Sequence, residues 1–236
     1  LPHAGIGSGW IDPVARLGAQ DESVYTHEAI RMITHGGWMT PTLSGRYSFE
    51  KPPLLIWLSA LSMKCFGIGR FSARLPAVLA GALVAVLAFC IASAARPGPA
   101  GWAAALLVLS NPLLFTMARH NMTDILLAAA VLGALAAQAG DPALSLRRSQ
   151  VAFVLSVSAG ILTKSLAGLL PPMAAFLFAA VSGKGRRQRL RRTAVLSGLA
   201  VLAAAPWFLY HLVLHREWLA ADMGFQILTV GVSPTQ

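Results

Sequence analysis

The chain has 236 residues, of which 56% are hydrophobic and only 12% are charged, and its mean hydropathy is +0.64. Soluble domains usually carry about 25% charged residues, so this composition excludes an ordinary soluble domain, a disordered chain and a collagen-like repeat. Six of the 19 basic residues lie between Lys184 and Arg192, in a gap between apolar runs and without interleaved aromatic residues. That placement predicts a cytoplasmic loop of a membrane protein rather than a nucleic-acid surface.

Residues 1–70 are predicted to form a long extracytoplasmic loop, the first of three regions. The pattern from Ser23 to His35 predicts a helix, with Asp21 as its N-cap and Gly36-Gly37 as its end. The 14-residue apolar stretch Pro53–Phe66 is shorter than the roughly 20 residues that a membrane-spanning helix needs. It therefore predicts a helix that lies in the membrane interface.

Residues 71–214 are predicted to cross the membrane, and residues 215–236 begin a further extracytoplasmic loop. The apolar runs lie near 73–95, 101–118, 124–140, 151–168, 169–182 and 194–214. The fifth run is short and begins at Pro171-Pro172, so the fourth and fifth runs are either two full crossings or a broken hairpin. Because the connections are short, the fold class is all-α, a polytopic transmembrane helical bundle.

Lysine and arginine divide the connecting loops into two sets. The predicted cytoplasmic loops hold Arg96, Arg147-Arg148 and the Lys184–Arg192 cluster. The opposite loops comprise residues 1–70, Arg119–Asp124, Lys164–Ser165 and the tail from His215, and they contain eight of the nine acidic residues. This asymmetry predicts a polar site at the outer membrane face, the alternative being that acidic residues are merely tolerated there.

Two short segments of the first loop carry chemistry. In the acid pair Asp21-Glu22, one carboxylate can act as base toward an acceptor hydroxyl while the other orients it; the alternative is that both only begin a helix. In Glu50-Lys51-Pro52-Pro53, the lysine is a charge suited to phosphate and the prolines fix the approach of the chain. A lysine that snorkels beside a surface glutamate is the alternative.

The remaining candidates lie at the outer ends of the spans. The polar turn Arg119–Asp124 favours a functional site, although Asp124 as N-cap of the next helix is the simpler account. Lys164 either faces an anionic group or snorkels. His211 and His215 share a helix face and, with Glu50 or Glu217, form a possible Zn²⁺ site; interfacial histidines without metal are the alternative.

Three sequence segments, in this order, resemble those of a known family: Asp21-Glu22 with Tyr25, Phe49–Leu55 (Phe-Glu-Lys-Pro-Pro-Leu-Leu), and Phe71–Pro76. The family is that of the GT-C membrane glycosyltransferases, specifically the protein O-mannosyltransferase and aminoarabinose-transferase superfamily, and the resemblance runs from about residue 20 to about residue 210. It implies an inverting enzyme of the inner membrane that moves a sugar from a polyprenyl-phosphate donor on the periplasmic face. The implied acceptor is a hydroxyl of a lipid A-like lipid, a glycan or a protein.

The resemblance also implies roles for individual residues. Asp21 corresponds to the essential aspartate, Glu22 to the acid beside it and Asp124 to the acid of the second outer loop. The predicted contacts to the donor phosphate are Lys51, Tyr25 and Arg119. Glu50 corresponds to a residue that binds a metal ion in some members, so a divalent metal, Zn or Mg, is a possible cofactor.

Some features depart from the family pattern. Ser23-Val24 stand where related sequences often have an arginine, and no histidine-rich segment is recognisable in Met223–Val232. Because the family continues beyond this point, the chain is expected to lack a first span and a C-terminal half. No nucleotide cofactor is expected, since a lipid phosphate is the leaving group. A transporter or lipid flippase, with a site at broken helices, and a non-catalytic membrane scaffold are the alternative functions.

Overall fold

The structure is a computed structural model that describes residues 19–43, 46–48, 51–181 and 185–215. Within these ranges the chain forms a bundle of α-helices and one small β-ribbon. The helices are α1 (Ala19–His35), α2 (Leu54–Phe66), α3 (Arg70–Ala95), α4 (Ala100–Leu109), α5 (Pro112–Arg119), α6 (Thr123–Gly140), α7 (Arg147–Lys164), α8 (Leu170–Val181) and α9 (Arg186–Leu214). The ribbon consists of β1 (Thr42–Leu43) and β2 (Arg46–Tyr47).

The predicted helices of the first loop are confirmed, with one correction. Helix α1 begins at Ala19, so Asp21 lies inside the first turn and the prediction that it is the N-cap is wrong. An acid in the first turn still interacts favourably with the positive end of the helix. Gly36 and Gly37 end α1 with φ angles of +80° and +81°, which side chains other than glycine rarely adopt.

The chain then reverses through the β-ribbon before entering α2. Thr42 pairs with Tyr47 and Leu43 with Arg46, so this loop adds two antiparallel strands to a bundle predicted as all-α. Helix α2 contacts α1 and α3, and buries Leu55 and Ile56. This packing holds the loop against the bundle.

The second predicted span is not a straight helix. Helices α4 and α5 meet at an angle of 63°, whereas the sequence predicted one run over 101–118. Pro112 has no N–H to continue α4, and the Asn111 side chain accepts hydrogen bonds from the backbone N–H of Leu113 (3.0 Å) and Leu114 (3.1 Å). A new helix therefore begins at this Asn-Pro pair.

Four helical stretches of the described residues are long and apolar enough to cross a membrane, and the bent α4–α5 pair is either a fifth, broken span or a re-entrant loop. They are Arg70–Ala95, Thr123–Gly140, Arg147–Val181 and Arg186–Leu214. The count rests on length and composition.

The stretch Arg147–Val181 reverses direction between α7 and α8. A Cβ atom on Gly168 would collide with the backbone of Gly160 and Ile161, which therefore lie directly against it. Residues eight apart in a straight helix are about 12 Å apart, so this contact requires the chain to fold back through the 3-10 turn Ser165–Leu169. The structure thus has the broken hairpin, with α8 only 12 residues long.

Small residues bring the bundle helices close together. Ala134, Ala175 and Ala200 are fully buried where α6, α8 and α9 pack around Phe153 and Val157 of α7. Without side chains beyond Cβ, the helix backbones approach closely, as is typical of membrane bundles. A second core joins α1, α2, α3 and α6 beneath the first loop.

The two ends of the bundle differ in charge. We call the end with Glu22, Asn121, Asp124 and Lys164 the site end. The opposite, basic end carries Arg96, Arg147-Arg148 and the arginines of Arg186–Arg192.

Asp141 is an acid at the basic end, and it stabilises the α6–α7 connection. Its carboxylate accepts hydrogen bonds from the backbone N–H of Leu146 (2.7 Å) and the hydroxyl of Ser145 (3.0 Å). Burial raises the pKa of Asp141, but these hydrogen bonds outweigh burial and hold the pKa below its usual value. Its carboxylate is therefore already occupied by its own loop.

Because the chain reverses tightly at Gly168, a larger side chain at this position should destabilise the protein. Gly168→Ala should lower the free energy of unfolding by roughly 1–3 kcal/mol, because the methyl group forces α7 and the turn apart. Reversible unfolding in mixed micelles measures this. The control is Gly198→Ala in α9, where an added Cβ meets nothing within 4 Å and the change should be neutral or stabilising by up to about 1 kcal/mol. Equal stability of the two variants would contradict the reversal.

Candidate active site

A partly buried ion pair joins α1 to α3 at the site end. The guanidinium of Arg74 donates from Nε to Oε1 of Glu22 (2.6 Å) and from Nη2 to Oε2 (3.0 Å). Glu22 is only 8% exposed, and the backbone N–H of Asn121 also donates to its Oε1 (3.3 Å). The bidentate geometry uses both carboxylate oxygens and fixes the start of α1 against α3.

Asn121 extends this network to α2. Its side-chain amide donates to Oγ1 of Thr26 (3.3 Å), and its Oδ1 accepts from the hydroxyl of Ser59 (3.0 Å). Asn121, Thr26 and Ser59 are all buried. The turn predicted as polar is therefore held between α1 and α2 by hydrogen bonds, rather than lying free at the surface.

The two members of the acid pair have different environments. Asp21 is exposed, whereas Glu22 is buried and ion-paired. Adjacent residues of a helix point about 100° apart, which accounts for the difference. The geometry favours a positioning role for Glu22 and leaves Asp21 accessible to a ligand; the catalytic roles of both stay predictions.

Asp124 and Lys164 form a second ion pair between α6 and α7. Lys164 Nζ donates to Oδ1 of Asp124 at 2.6 Å. Asp124 lies in the first turn of α6, whose N-cap position is Met122, so the alternative of Asp124 as N-cap is wrong. Of the two alternatives for Lys164, facing an anionic group or snorkelling, the structure has the first.

The three residues predicted to contact the phosphate of the sugar donor differ in burial. Lys51 is half-buried, three residues before α2 begins at Leu54. Tyr25 is 3% exposed and packs in the core beneath the first loop, so its ring is a core group and a donor contact through its hydroxyl stays a prediction. Arg119 is exposed at the end of α5, with its guanidinium 5.3 Å from the ring centre of Phe115.

An apolar groove runs along the bundle, and some of its lining residues are close in sequence to Lys51, Asp124 and Lys164. It has a volume of about 500 Å³ between α2, α3, α6 and α7. Leu54 lines it close to Lys51, Leu126 close to Asp124 and Ala159 close to Lys164, and Leu83 and Leu155 line it further along. Its side chains are almost all apolar, so it suits a hydrocarbon chain.

The predicted metal ligands do not assemble into a metal site within the described ranges. Those residues contain no group of three His, Cys, Asp or Glu side chains placed to hold an ion, and Glu50 and Glu217 lie outside them. His211 Nε2 lies 2.8 Å from the carbonyl oxygen of Met39, which can only accept, so this nitrogen carries a proton and cannot ligate. His215 stacks near it, with ring centres 5.5 Å apart.

The histidine therefore fastens the first loop to α9. The indole N–H of Trp207 donates to the same Met39 carbonyl (3.0 Å), one turn before His211. On the other side, the indole of Trp57 in α2 donates to the carbonyl of Trp38 (2.6 Å). These bonds tie the segment after α1 to both α2 and α9.

His27 of α1 is partly buried and stands five residues after Glu22. Burial, followed by the nearby positive charge of Arg31, lowers the pKa of His27 from its usual value. His27 is therefore neutral at physiological pH and adds no positive charge to the site end.

Sequence reasoning gave no role to Arg74, Ser59 or Thr26. The position of Arg74 could have indicated a role, because a charged residue one turn inside a long apolar helix needs a partner. Ser59 and Thr26 carried none, since only the packing of α1, α2 and the turn at Asn121 makes them partners.

The fold and site define a class: an integral membrane protein with a polar site at one end of a helical bundle, next to an apolar groove. The chain belongs to the dolichyl-phosphate-mannose-protein mannosyltransferase family, whose model matches residues 50–220. The resemblance to GT-C glycosyltransferases is thus confirmed.

Individual relatives support the family. The chain is 30% identical over 194 residues to an undecaprenyl phosphate-alpha-4-amino-4-deoxy-L-arabinose arabinosyl transferase of Sodalis glossinidius, covering 80% of this chain and 35% of that protein. It is 29% identical to the corresponding protein of Edwardsiella ictaluri, covering 84% of this chain and 37% of the relative. The chain thus spans about a third of the length of these relatives.

Solved structures agree with the fold. The apo crystal structure of ArnT from Cupriavidus metallidurans matches with a TM-score of 0.76 and 26% identity, over 86% of this chain and 39% of that one. ArnT bound to undecaprenyl phosphate matches with a TM-score of 0.72 and 27% identity, over the same shares. The described helices therefore have the architecture of this part of ArnT.

The contrast between the two acids predicts separable effects on stability. Glu22→Gln should lower the free energy of unfolding by about 2–3 kcal/mol, because it leaves the guanidinium of Arg74 unpaired. This is less than for a fully buried pair, since the Arg74 side chain is 22% exposed. Asp21→Asn, one residue earlier, should change it by less than about 0.5 kcal/mol. Reversible unfolding in mixed micelles compares the two, and equal losses would contradict the assignment.

Proposed function

We propose that this protein is a membrane glycosyltransferase that moves a sugar from a polyprenyl-phosphate donor to an acceptor hydroxyl. The observation that carries the proposal is an apolar groove whose lining residues Leu54, Leu126 and Ala159 stand within five residues of Lys51, Asp124 and Lys164, in a chain of this family. Such a site suits a ligand with a charged head and a long hydrocarbon tail. Lys51, Asp124 and Lys164 are at the charged end, and the groove receives the first part of the tail.

The reaction is a single displacement that inverts the anomeric carbon. The acceptor oxygen attacks this carbon, Asp21 takes the hydroxyl proton, and the bond from the anomeric carbon to the phosphate oxygen breaks. The electron pair of that bond leaves with the polyprenyl phosphate. Lys51, with Arg119, stabilises the negative charge that grows on the leaving phosphate.

Glu22 and Asp124 support this chemistry in different ways. Glu22 holds the start of α1 through Arg74 and Asn121, which fixes Asp21 relative to the groove. Asp124 positions the ammonium of Lys164 at the same end. Preorganised charges of this kind act without reorganising during the reaction.

The names of the family and of its relatives narrow the donor class. The family description specifies dolichyl-phosphate mannose, and the relatives' names specify aminoarabinose on undecaprenyl phosphate. Their shared chemistry is a sugar phosphodiester of a polyprenyl chain, which we take as the donor. The acceptor is a lipid A-like lipid, a glycan or a protein hydroxyl.

The membrane location follows from the charges of the two ends. The arginines of the basic end match cytoplasmic loops, so the site end faces the periplasm of the inner membrane in this proposal. A lipid-linked donor fits this location, because it requires no soluble nucleotide sugar there.

The role of Asp21 predicts a loss of turnover without a loss of fold. Asp21→Asn should slow sugar transfer by at least about 100-fold, because general base catalysis contributes about 10²–10⁴-fold. The assay uses the intact protein in proteoliposomes with labelled undecaprenyl-phosphate aminoarabinose or polyprenyl-phosphate mannose, and follows label leaving the donor. Equal rates in the folded variant would overturn the role of Asp21. No transfer from any donor by folded wild-type protein would point instead to transport or scaffolding.

The role of Lys51 predicts a loss in donor use. Lys51→Gln should reduce kcat/KM for the donor by about 10–100-fold, because a charge-assisted contact to the phosphate is lost. Lys64→Gln is the matched control: it removes the same charge at the other end of α2, where the ammonium lies over the ring of Trp38. Similar losses in both variants would show that net charge, rather than phosphate contact, is responsible.

A further inference from the structure

A second groove lies at the basic end, away from the proposed catalytic site. It has a volume of about 420 Å³ and is formed by the start of α7 and the first turns of α9. Gln150, Gln188, Arg191 and Arg192 line one part of it, and Val195 and Leu199 line another. The proposed reaction does not use this groove.

The lining changes from polar to apolar along α9. Gln188 and Arg191 lie near the helix start, and Leu199 lies eleven residues beyond Gln188, which is about 16 Å along the axis. The groove therefore runs from the level of lipid head groups into the level of acyl chains. A small soluble anion would use only the polar part, whereas a phospholipid matches both.

The charge of the polar part is positive. Arg191 is exposed, and Arg192 is held by a hydrogen bond from Nη1 to the carbonyl of Ala143 (3.1 Å), which satisfies one of its donors. The Glu22–Arg74 and Asp124–Lys164 ion pairs lie at the site end, and Asp141 is engaged by its own loop. Neither arginine is neutralised by a carboxylate in the described part of the chain.

We propose that this groove binds one anionic phospholipid. The lipid phosphate contacts Arg191 and Arg192, Gln150 and Gln188 bind head-group oxygens, and an acyl chain lies along Val195 and Leu199. Basic pockets between transmembrane helices recognise anionic head groups in this way. The bound lipid fills the gap between α7 and α9, beside the core that these helices form with α6 and α8.

The test measures lipid binding to the intact purified protein in non-ionic detergent. Native mass spectrometry with phosphatidylglycerol or phosphatidylcholine gives an apparent Kd for each lipid. We expect tighter binding of phosphatidylglycerol, and Arg191→Gln should weaken it about fivefold, the effect of one arginine near an anionic head group. Binding of phosphatidylcholine should not change.

The control is the same arginine-to-glutamine substitution at a position outside the groove. Arg186 is nine residues before Val195, or two and a half turns, and therefore lies on the opposite side of α9. Arg186→Gln should leave the Kd for phosphatidylglycerol within about twofold of the unmodified value. Equal weakening by Arg186→Gln and Arg191→Gln would overturn the proposal in favour of a nonspecific charge effect.

A second variant and a soluble probe complete the test. Gln188→Glu, at an exposed position, should also weaken phosphatidylglycerol binding by repelling the phosphate, and an unchanged Tm shows that the fold is kept. Glycerol phosphate should not raise the Tm at concentrations where phosphatidylglycerol does. Equal stabilisation by both would identify a free anion site instead, and no preference for phosphatidylglycerol over phosphatidylcholine would reject an anionic lipid site.

Discussion

The ion pair between Glu22 and Arg74 is the interaction on which the site end depends. Both charges lie at the edge of an apolar bundle, where an unpaired charge would be costly. Pairing them joins α1 to α3, and the backbone N–H of Asn121 adds the turn before α6 to the same carboxylate. Asn121 then binds Thr26 and Ser59, so one polar network aligns four separate segments of the chain.

This network explains why two adjacent acids serve different purposes. A general base must reach its substrate, whereas a carboxylate that fixes a helix must be buried among donors. Adjacent helix positions satisfy both needs, because one turns toward Arg74 and the other away from it. In our proposal the rigidity of Glu22 is what gives the exposed Asp21 a defined position, so the acid pair is a positioned base rather than two interchangeable bases.

Much of the fold was predictable from the sequence, because long apolar runs, Gly36-Gly37 and the Pro171-Pro172 pair act locally. The bend at Asn111-Pro112 was also predictable from the sequence, because an Asn-Pro pair ends one helix and begins another. Counting apolar residues over 101–118 did not take this pair into account. The partners of Arg74 and Lys164 were not predictable, since they depend on which helices pack together. The same holds for His211: its spacing from His215 suggested zinc, but the distant Met39 carbonyl decides the state of its ring.

The two ends of the bundle use charge in opposite ways. At the site end, Glu22 is paired with Arg74 and Asp124 with Lys164, so these four charges are held in fixed places. Among the described residues of the basic end, the arginines outnumber the one acid, Asp141, whose carboxylate is bound within its own loop. Fixed, paired charges suit a site that must distinguish a donor phosphate and stabilise its departure. Arg191 and Arg192, which no described carboxylate neutralises, suit lasting contact with anionic lipids at head-group level. Such contact orients the bundle and keeps the proposed catalytic end on the opposite face.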